Sequence, residues 1–390
     1  MGTNISFSKS EKFAVLTLSL VYGLRMFGLF LIMPVIAIDI NSSSVDNSAI
    51  LIGLVIGIYG LTQAIFQIPF GLASDKFGRK PIIVLGLLIF TAASYWAANA
   101  NDIQTLIFAR AIQGVGAVSA AASAFLADLT RDEVRSKAMG MVGISIGLSF
   151  VMSLVFAPVL YVKIGLNGLF YLVSFMGLIA TILVLRIPVP LNKSKRTLTE
   201  LNYSLKSKIL NNQLLRLYAG IFFLMFTQAS LFLIIPNLIQ NFGIQINNHW
   251  KLYLPVLLLA FVIMYLVLNR SEHEGNQKKY YVISILLVLT SLVIFSIFHE
   301  ILFFWVFGLC VYFVGFNLLE AFLPSWVSKI VVPKHKGLAL GIYNTGQSLG
   351  IFFGGLIGGV LYERFGEIEI FDPERIVEYA EGSLQSGAIP

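Results

Sequence analysis

Eleven stretches of the chain are long and apolar enough to cross a lipid bilayer, and that repetition leaves few folds open. A crossing helix needs about 20 predominantly apolar residues. Such stretches lie at residues 12–38, 49–72, 81–100, 104–129, 138–161, 166–188, 217–240, 250–269, 280–298, 301–327 and 338–361. Hydrophobic residues make up 57% of the 390 and charged residues 12%, against roughly 45–50% and about 25% in a soluble domain. In lipid no water satisfies the backbone amides, so stretches of this length are helices. The expected fold class is all-α and integral to the membrane. The first ten residues are polar and the first apolar run is long enough to span, so no cleavable signal peptide is expected.

The net charge of +7 invites a nucleic-acid reading, which the placement of the basic residues rejects. Twenty-one of the 27 Lys and Arg lie in the first twelve residues, or in and at the edges of the connections after spans 2, 4, 6, 8 and 10. The odd-numbered connections and their edges carry only Lys163 and Lys251. This is the positive-inside bias, and it predicts a multi-pass protein of the cell inner (plasma) membrane with a cytoplasmic N-terminus. The one cysteine, Cys310, falls within a span and reads as a small buried hydrophobe. Neither a disulfide nor a metal site is expected, and no cofactor.

The chain repeats itself. FLIMPVIAI (30–38) returns as FLIIPNLIQ (232–240), and AMGMVGISIGLSFV from Ala138 returns as ALGIYNTGQSLGIF from Ala339. The second pair continues without a gap to YVKIG (161–165) and YERFG (362–366). The expected division is an N-terminal six-helix bundle (1–188), a linker (189–216), a C-terminal bundle of five helices (217–361) and an acidic non-membrane tail (362–390). The linker carries Lys193, Lys195, Arg196, Lys206 and Lys208 against Glu200. It reads as a solvated cytoplasmic segment, with binding to anionic lipid the alternative. After Gly366 the repeat calls for a twelfth span, yet the chain reads EIEIFDPERIVEYAEGSLQSGAIP. Each acid at mid-membrane would cost ~2.5–3.5 kcal/mol, so this stretch is not expected to span. Two readings stand: a natural eleven-span chain ending outside, or a truncation or frame shift after Gly366. The second is favoured because the repeat holds up to that residue.

Residues 71–80, GLASDKFGRK, join two spans and fit G-x-x-x-D-[RK]-x-G-[RK]-[RK] through Gly71, Asp75, Gly78, Arg79 and Lys80. Gly78 permits a positive φ in a tight turn, and Arg79 and Lys80 hold the loop on the cytoplasmic side. This pattern between spans 2 and 3 resembles the major facilitator superfamily of secondary transporters. The resemblance implies two helical bundles related as parallel repeats, here 6 + 5 spans with the twelfth apparently missing. It also implies that Asp75, Arg79 and Asp128 form a cytoplasmic latch favouring the outward-facing state; a solvated surface cluster is the alternative.

Three formal charges sit well inside spans: Arg25, Arg110 and Glu320. The resemblance implies that spans 1, 4, 7 and 10 line a central cavity, and these charges fall on spans 1, 4 and 10. Ionisable residues at membrane depth default to functional hypotheses. Glu320, in FNLLEAFLPS, is the proton-site candidate, with a fixed ion pair between the halves as the alternative. Arg25 reads equally as an anion contact or a structural partner. Arg110, in LIFARAIQGVGA, matches the family's span-4 pattern of Arg followed by Gln-Gly, here Gln113 and Gly114. The resemblance implies a part in proton transfer, by tuning a neighbouring acid. Tyr22, Gln113, Gln228 and Asn317 are substrate-cavity candidates, or polar helix-packing residues. Gly346, Gly350, Gly354 and Gly358 recur every four residues, a stripe for close helix contact.

Span 5 keeps Gly143 and Gly147 but has Ala157-Pro158 followed by Val159 and Leu160, so the drug/proton antiporter signature is degenerate. By contrast LRMFGLFLIMPV (24–35), IGIYGLTQAIFQIPFG (56–71), DLTR (128–131) and NLLEAFLPS (317–325) resemble the YajR-type branch of that group. The expected function is proton-coupled efflux of small lipophilic or amphipathic solutes by alternating access, the protein working as a monomer. Proton-linked uptake of a sugar or carboxylate is one alternative; a non-transporting receptor or a truncated, inactive transporter is another. No nucleophile, base and orienter set and no phosphate loop is present, so an enzyme is not expected.

Overall fold

Apolar length makes the helices, and short polar breaks end them. The computed structural model describes residues 7–42, 48–116, 118–188, 211–274, 276–298, 300–331 and 336–369. In chain order the helices are α1 (Lys9–Ser42), α2 (Ala49–Phe77), α3 (Arg79–Ala98), α4 (Ile103–Val115), α5 (Ser119–Asp128) and α6 (Asp132–Arg186). The second half holds α7 (Asn212–Asn241), α8 (Trp250–His273), α9 (Gln277–Ile297), α10 (Leu302–Ile330) and α11 (Lys336–Glu369). Side-chain caps start several of them: the oxygen of Ser48 takes the amide of Ile50, that of Asp102 takes Thr105, and that of Asn211 takes Leu214. Each satisfies one of the amides that a helix start leaves without a partner.

Helix α6 has 55 residues, about 82 Å at 1.5 Å per residue, far more than one crossing requires. Gly165, with φ 67° and ψ 179°, breaks it into two spans. The chain reverses there. Arg131, before the first segment, bonds Glu11, while Leu185, at the end of the second, accepts from Lys80 in the neighbouring loop. The fourth span, expected at 104–129, runs over Ile103–Asp128 and is built of two helices, α4 ending at Val115 and α5 starting at Ser119. Gly116 lies against the backbone of α3, where a Cβ would come 2.5 Å from Gly86 O.

The bundle has two ends, one carrying Arg79 and the other Ser48. Hydrophobic side chains such as Phe303 (73% exposed) and Phe108 (64% exposed) cover its outside, as a surface solvated by lipid allows. Inside, one large core takes in both halves, with Leu31, Ile32, Val35 and Ile36 of α1, Ile52 and Val55 of α2, and Ile234 and Ile235 of α7. A smaller core at the Arg79 end belongs to the N-terminal half alone: Val15, Leu18, Val21, Ile83, Leu87, Phe125, Leu126 and Val184. The halves are thus fused toward the Ser48 end, and the smaller core shows that fusion stopping short of Arg79.

Helix α11 makes that fusion. One face meets α7, with Gly350 against Phe222 and Gly354 against Phe226. The other face meets α2 in antiparallel register, with Gly355 on Gly53, Phe352 on Gly57, Ser348 on Gly60 and Gly359 on Ala49. Between apolar helices in an apolar solvent, close backbone packing replaces the hydrophobic effect, and small residues permit it. The helix also continues to Glu369, past the expected span end at 361, so residues 362–369 are helical. The remainder of the expected tail, 370–390, lies outside the described residues. So does most of the expected linker, 189–210; α7 begins at Asn212, inside the range assigned to the linker.

Candidate functional site

At the Arg79 end, α2 stops at Phe77, Gly78 turns the chain with φ 101°, and α3 begins at Arg79. The Arg79 side chain reaches back to pair with Asp75 and forward across to Asp128 Oδ2 of α5 at 3.2 Å. Its Nη1 donates to Ser74 Oγ at 2.7 Å, and that hydroxyl donates to Gly71 O at 2.7 Å. Gly71 itself packs beside Ala120 of α5. Lys80 serves a different partner, donating to the carbonyls of Leu185 and Ile187 at the C-terminus of α6, at 2.6 and 2.9 Å. A cation suits the negative end of a helix dipole. The cluster ties α2, α3, α5 and α6, all of them in the N-terminal half.

Two arginines are buried at the centre of that half, each no more than 2% exposed. Arg25 of α1 donates to Ser119 Oγ (2.9 Å), Tyr59 OH (2.7 Å) and Gln63 Oε1 (3.1 Å). Arg110 of α4 donates to Val55 O (3.2 Å) and Gln113 Oε1 (2.6 Å), and its guanidinium lies 5.1 Å from the centre of the Tyr59 ring. Tyr59 therefore serves both cations, one through its hydroxyl and the other through its π face. Gln113 passes the contact on to Ser94 Oγ at 2.7 Å. Tyr22 joins the same group, donating to Ser119 O at 2.6 Å and lying 2.7 Å from Ser123 Oγ. Among the described residues no carboxylate accepts a hydrogen bond from either guanidinium. Neutral oxygens and aromatic faces carry both charges.

Glu320 lies in the other half. Its Oε1 is buried and has no hydrogen-bond partner among the described residues. Ion pairs among the described residues include Arg79 with Asp75 and Asp128, Arg131 with Glu11, and Arg270 with Glu274. Glu320 is in none of these, so the ion pair between the halves that the sequence left open is not seen among the described residues. Around Glu320 stand Tyr312 of α10 and Tyr343 of α11, both within electrostatic reach of its charge. The Tyr343 hydroxyl and Asn317 Nδ2, one turn away on α10, are likewise buried and unpartnered. Gln228 is buried on α7. One turn from Glu320 toward the Ser48 end, Phe316 belongs to an aromatic group around Phe150, with Phe30, Phe232 and Phe313.

The structure thus brings together Asp75, Arg79 and Asp128, and separately Tyr22, Arg25, Arg110 and Gln113; it does not bring Glu320 to either arginine. Tyr59, Gln63, Ser94, Ser119 and Phe150 were not singled out in the sequence. Tyr59 and Gln63 had a visible signal, four residues apart on one face of α2 in IGIYGLTQAIFQ. Among the described residues no group of three or more His, Cys, Asp or Glu is placed to hold a metal ion.

The profile of the Major Facilitator Superfamily matches residues 18–321 and 273–371. The chain belongs to the major facilitator superfamily. The Inner membrane transport protein YajR of Escherichia coli (strain K12) is 39% identical over 362 residues, covering 91% of this chain and 78% of that protein. Multidrug resistance protein 2 of Bacillus subtilis (strain 168) is 25% identical, covering 92% of this chain and 90% of that one. A solved structure of a bacterial homolog to the human lysosomal transporter Spinster, in an inward-facing and unoccupied conformation, superposes with a TM-score of 0.74. It has 17% identity and covers 92% of this chain and 84% of that one. As a member of this superfamily the chain is a multi-pass membrane transporter of small molecules, and not an enzyme.

Proposed function

We propose that the chain is a proton-coupled exporter of small lipophilic or amphipathic solutes, working by alternating access in the inner membrane. The observation that carries this reading is Glu320: a carboxyl group at membrane depth, with a buried oxygen left unpartnered and no basic residue paired to it among the described residues. A buried unpaired carboxylate is costly. Taking up a proton removes that cost, and re-exposure to water or to a cation returns the incentive to ionise. A site whose surroundings change between two states can therefore load a proton on one side and release it on the other. The aromatic neighbours Tyr312, Tyr343 and Phe316 supply apolar surface for a solute beside the same carboxyl, so solute and proton compete for it. The near-full-length similarity to a protein named for multidrug resistance supports the export of such solutes.

The basic residues of the short connections favour a cytoplasmic Arg79 end and N-terminus. On that orientation the fused Ser48 end is the outer one, and the arrangement described here is inward-facing. The cluster of Asp75, Arg79 and Asp128 then lies at the cytoplasmic end and, formed within one half in an inward-facing arrangement, holds α2, α3 and α5 together without closing that end.

The test is flux in proteoliposomes. With an imposed pH gradient, the wild-type protein is expected to move protons when a lipophilic solute is added. Glu320→Gln is expected to exchange solute without moving protons. Full coupling in Glu320→Gln would remove Glu320 from the proton path; accumulation of solute along an inward proton gradient would make the protein an importer; binding without flux would make it a receptor.

A further inference from the structure

Glu363 stands on α11 just beyond its membrane-spanning stretch, and its carboxylate rests on the first turn of α2, in the other half of the molecule. It accepts a hydrogen bond from Ser48 Oγ and another from the Ile50 amide at 3.1 Å. Ser48 is the residue that starts α2, and its oxygen also takes the Ile50 amide at 3.2 Å. The first amides of a helix have no partner within the helix and gather the positive end of its dipole. A carboxylate placed there is held in its charged form: the Ser48 hydroxyl and the Ile50 amide keep the Glu363 carboxyl below its ordinary range.

The setting gives this contact its meaning. From Glu363 inward, α2 and α11 touch backbone to backbone through Gly359 on Ala49, Gly355 on Gly53 and Gly57 on Phe352. Midway, Gln63 Nε2 donates to Ser348 Oγ at 3.0 Å. All these contacts join the N-terminal half to the C-terminal half. The polar cluster at the other end, around Arg79, joins only elements of the N-terminal half. Opening the Ser48 end requires α2 and α11 to part there, and the carboxylate of Glu363 must then leave its amides.

We propose that Glu363 is a positioning residue of the transport cycle: seated on the start of α2, it latches the Ser48 end shut, and its departure accompanies the opening of that end. The proposal rests on alternating access and is independent of Glu320 and of proton coupling. One carboxylate on one exposed helix start biases the equilibrium by about 2- to 5-fold. The latch is therefore weak enough to be released in every cycle.

Hydrogen exchange of the full chain in lipid nanodiscs, without solute, tests this. In Glu363→Ala, amides of residues 48–60 and 348–363 are expected to exchange about 2- to 5-fold faster. Amides of residues 67–80 and 338–345, at the opposite end, are expected to slow, because opening one end closes the other. Ser48→Ala, which removes the partner from the other half, is expected to shift both ends in the same directions, and the double variant to add little. Faster exchange confined to the first turn of α2, with no slowing at the Arg79 end, would reduce the contact to a local cap and overturn the proposal. Unchanged exchange, or full additivity of the two variants, would overturn it as well. Repeating the comparison in a Glu320→Gln background keeps the two readings apart: the reciprocal shift must persist there whether or not that variant moves protons.

Discussion

Phe150, in the N-terminal half, lies with its ring 6.1 Å from that of Phe316 in the C-terminal half, the two planes 28° apart. Phe30 meets the same ring edge-on at 5.1 Å, and Phe232 and Phe313 close around it at 6.3 and 6.0 Å. Phe150 is thus a plug from one half seated among three rings of the other, between Glu320 and the Ser48 end. Phe150→Ala is expected to raise the solute-independent proton leak of proteoliposomes roughly tenfold, equivalent to ~1.4 kcal/mol off the barrier. Phe150→Leu keeps most of the bulk and is expected to keep most of the seal. The decay of an imposed pH gradient reads this directly, and an unchanged leak in Phe150→Ala would place the seal elsewhere.

The glycine seam permits a sharper manipulation of the cycle. A Cβ on Gly57 would come 2.7 Å from Phe352 O, which is backbone and has little freedom to retreat. Gly57→Leu therefore overpacks the state in which α2 and α11 touch, at a cost of about 1–3 kcal/mol. The state in which they part does not bear that cost, so the equilibrium moves by roughly 5- to 150-fold toward it. Transport is expected to fall more than about tenfold while the protein still elutes as a single folded species. Gly140→Ala, at a glycine with nothing within 4 Å of an added Cβ, is the control and is expected to transport normally.

What could be read in the chain and what could not divides along physical lines. The spans, the loop at 71–80 and the repeat are patterns of residue type along the chain, and they led to the family. The stripe from Gly346 to Gly358 announced a close helix contact, because small residues at a four-residue spacing serve little else in lipid. Phe150 was hidden for the opposite reason. Lipid is as apolar as a packed core, so hydropathy does not separate a ring seated between the halves from Phe303 on the outside. In the sequence Glu363 is one acid of an acidic tail, and its partners are a hydroxyl and a backbone amide 315 and 313 residues away in the chain. The two arginines were visible as charges at depth, but their partners, the Val55 carbonyl and the Tyr59 ring, carry no charge to match against.

Arg110 is held by the shape of its head group as well as by its charge. Its Nε and Nη1 donate in two directions, to Val55 O and Gln113 Oε1, while its plane covers the Tyr59 ring. A lysine keeps the charge and loses the fork and the stacking. Arg110→Lys is therefore expected to fold and insert, yet to lose turnover by about tenfold or more, since each displaced donor leaves a buried oxygen unsatisfied. Initial rates over a range of solute concentrations separate the effects: a fall in maximal rate at constant KM is the expected outcome. Wild-type turnover in Arg110→Lys would show that charge alone is needed there.

Glu11 and Arg131 form a second polar tie at the Arg79 end, fastening the start of α1 to the start of α6. Glu11 Oε1 accepts from the Arg131 Nε at 2.9 Å and from its backbone amide at 3.0 Å, and Oε2 accepts from Nη2 at 3.0 Å and from the Ser8 amide at 2.8 Å. The Arg131 guanidinium first, and then these amides, hold the Glu11 carboxyl well below the ordinary value of 4.5. A depressed carboxyl stabilises the fold fully above its ordinary value, and that contribution is lost progressively as pH falls from there through the depressed value. Glu11→Gln is thus expected to lower the melting temperature in detergent by about 1–3 °C. The gap should stay constant between about pH 5 and 8, narrow progressively below the ordinary carboxylate value and close fully only in strong acid. A gap that closes on mild acidification, near the ordinary carboxylate value, would mean that Arg131 does not hold this carboxylate in solution.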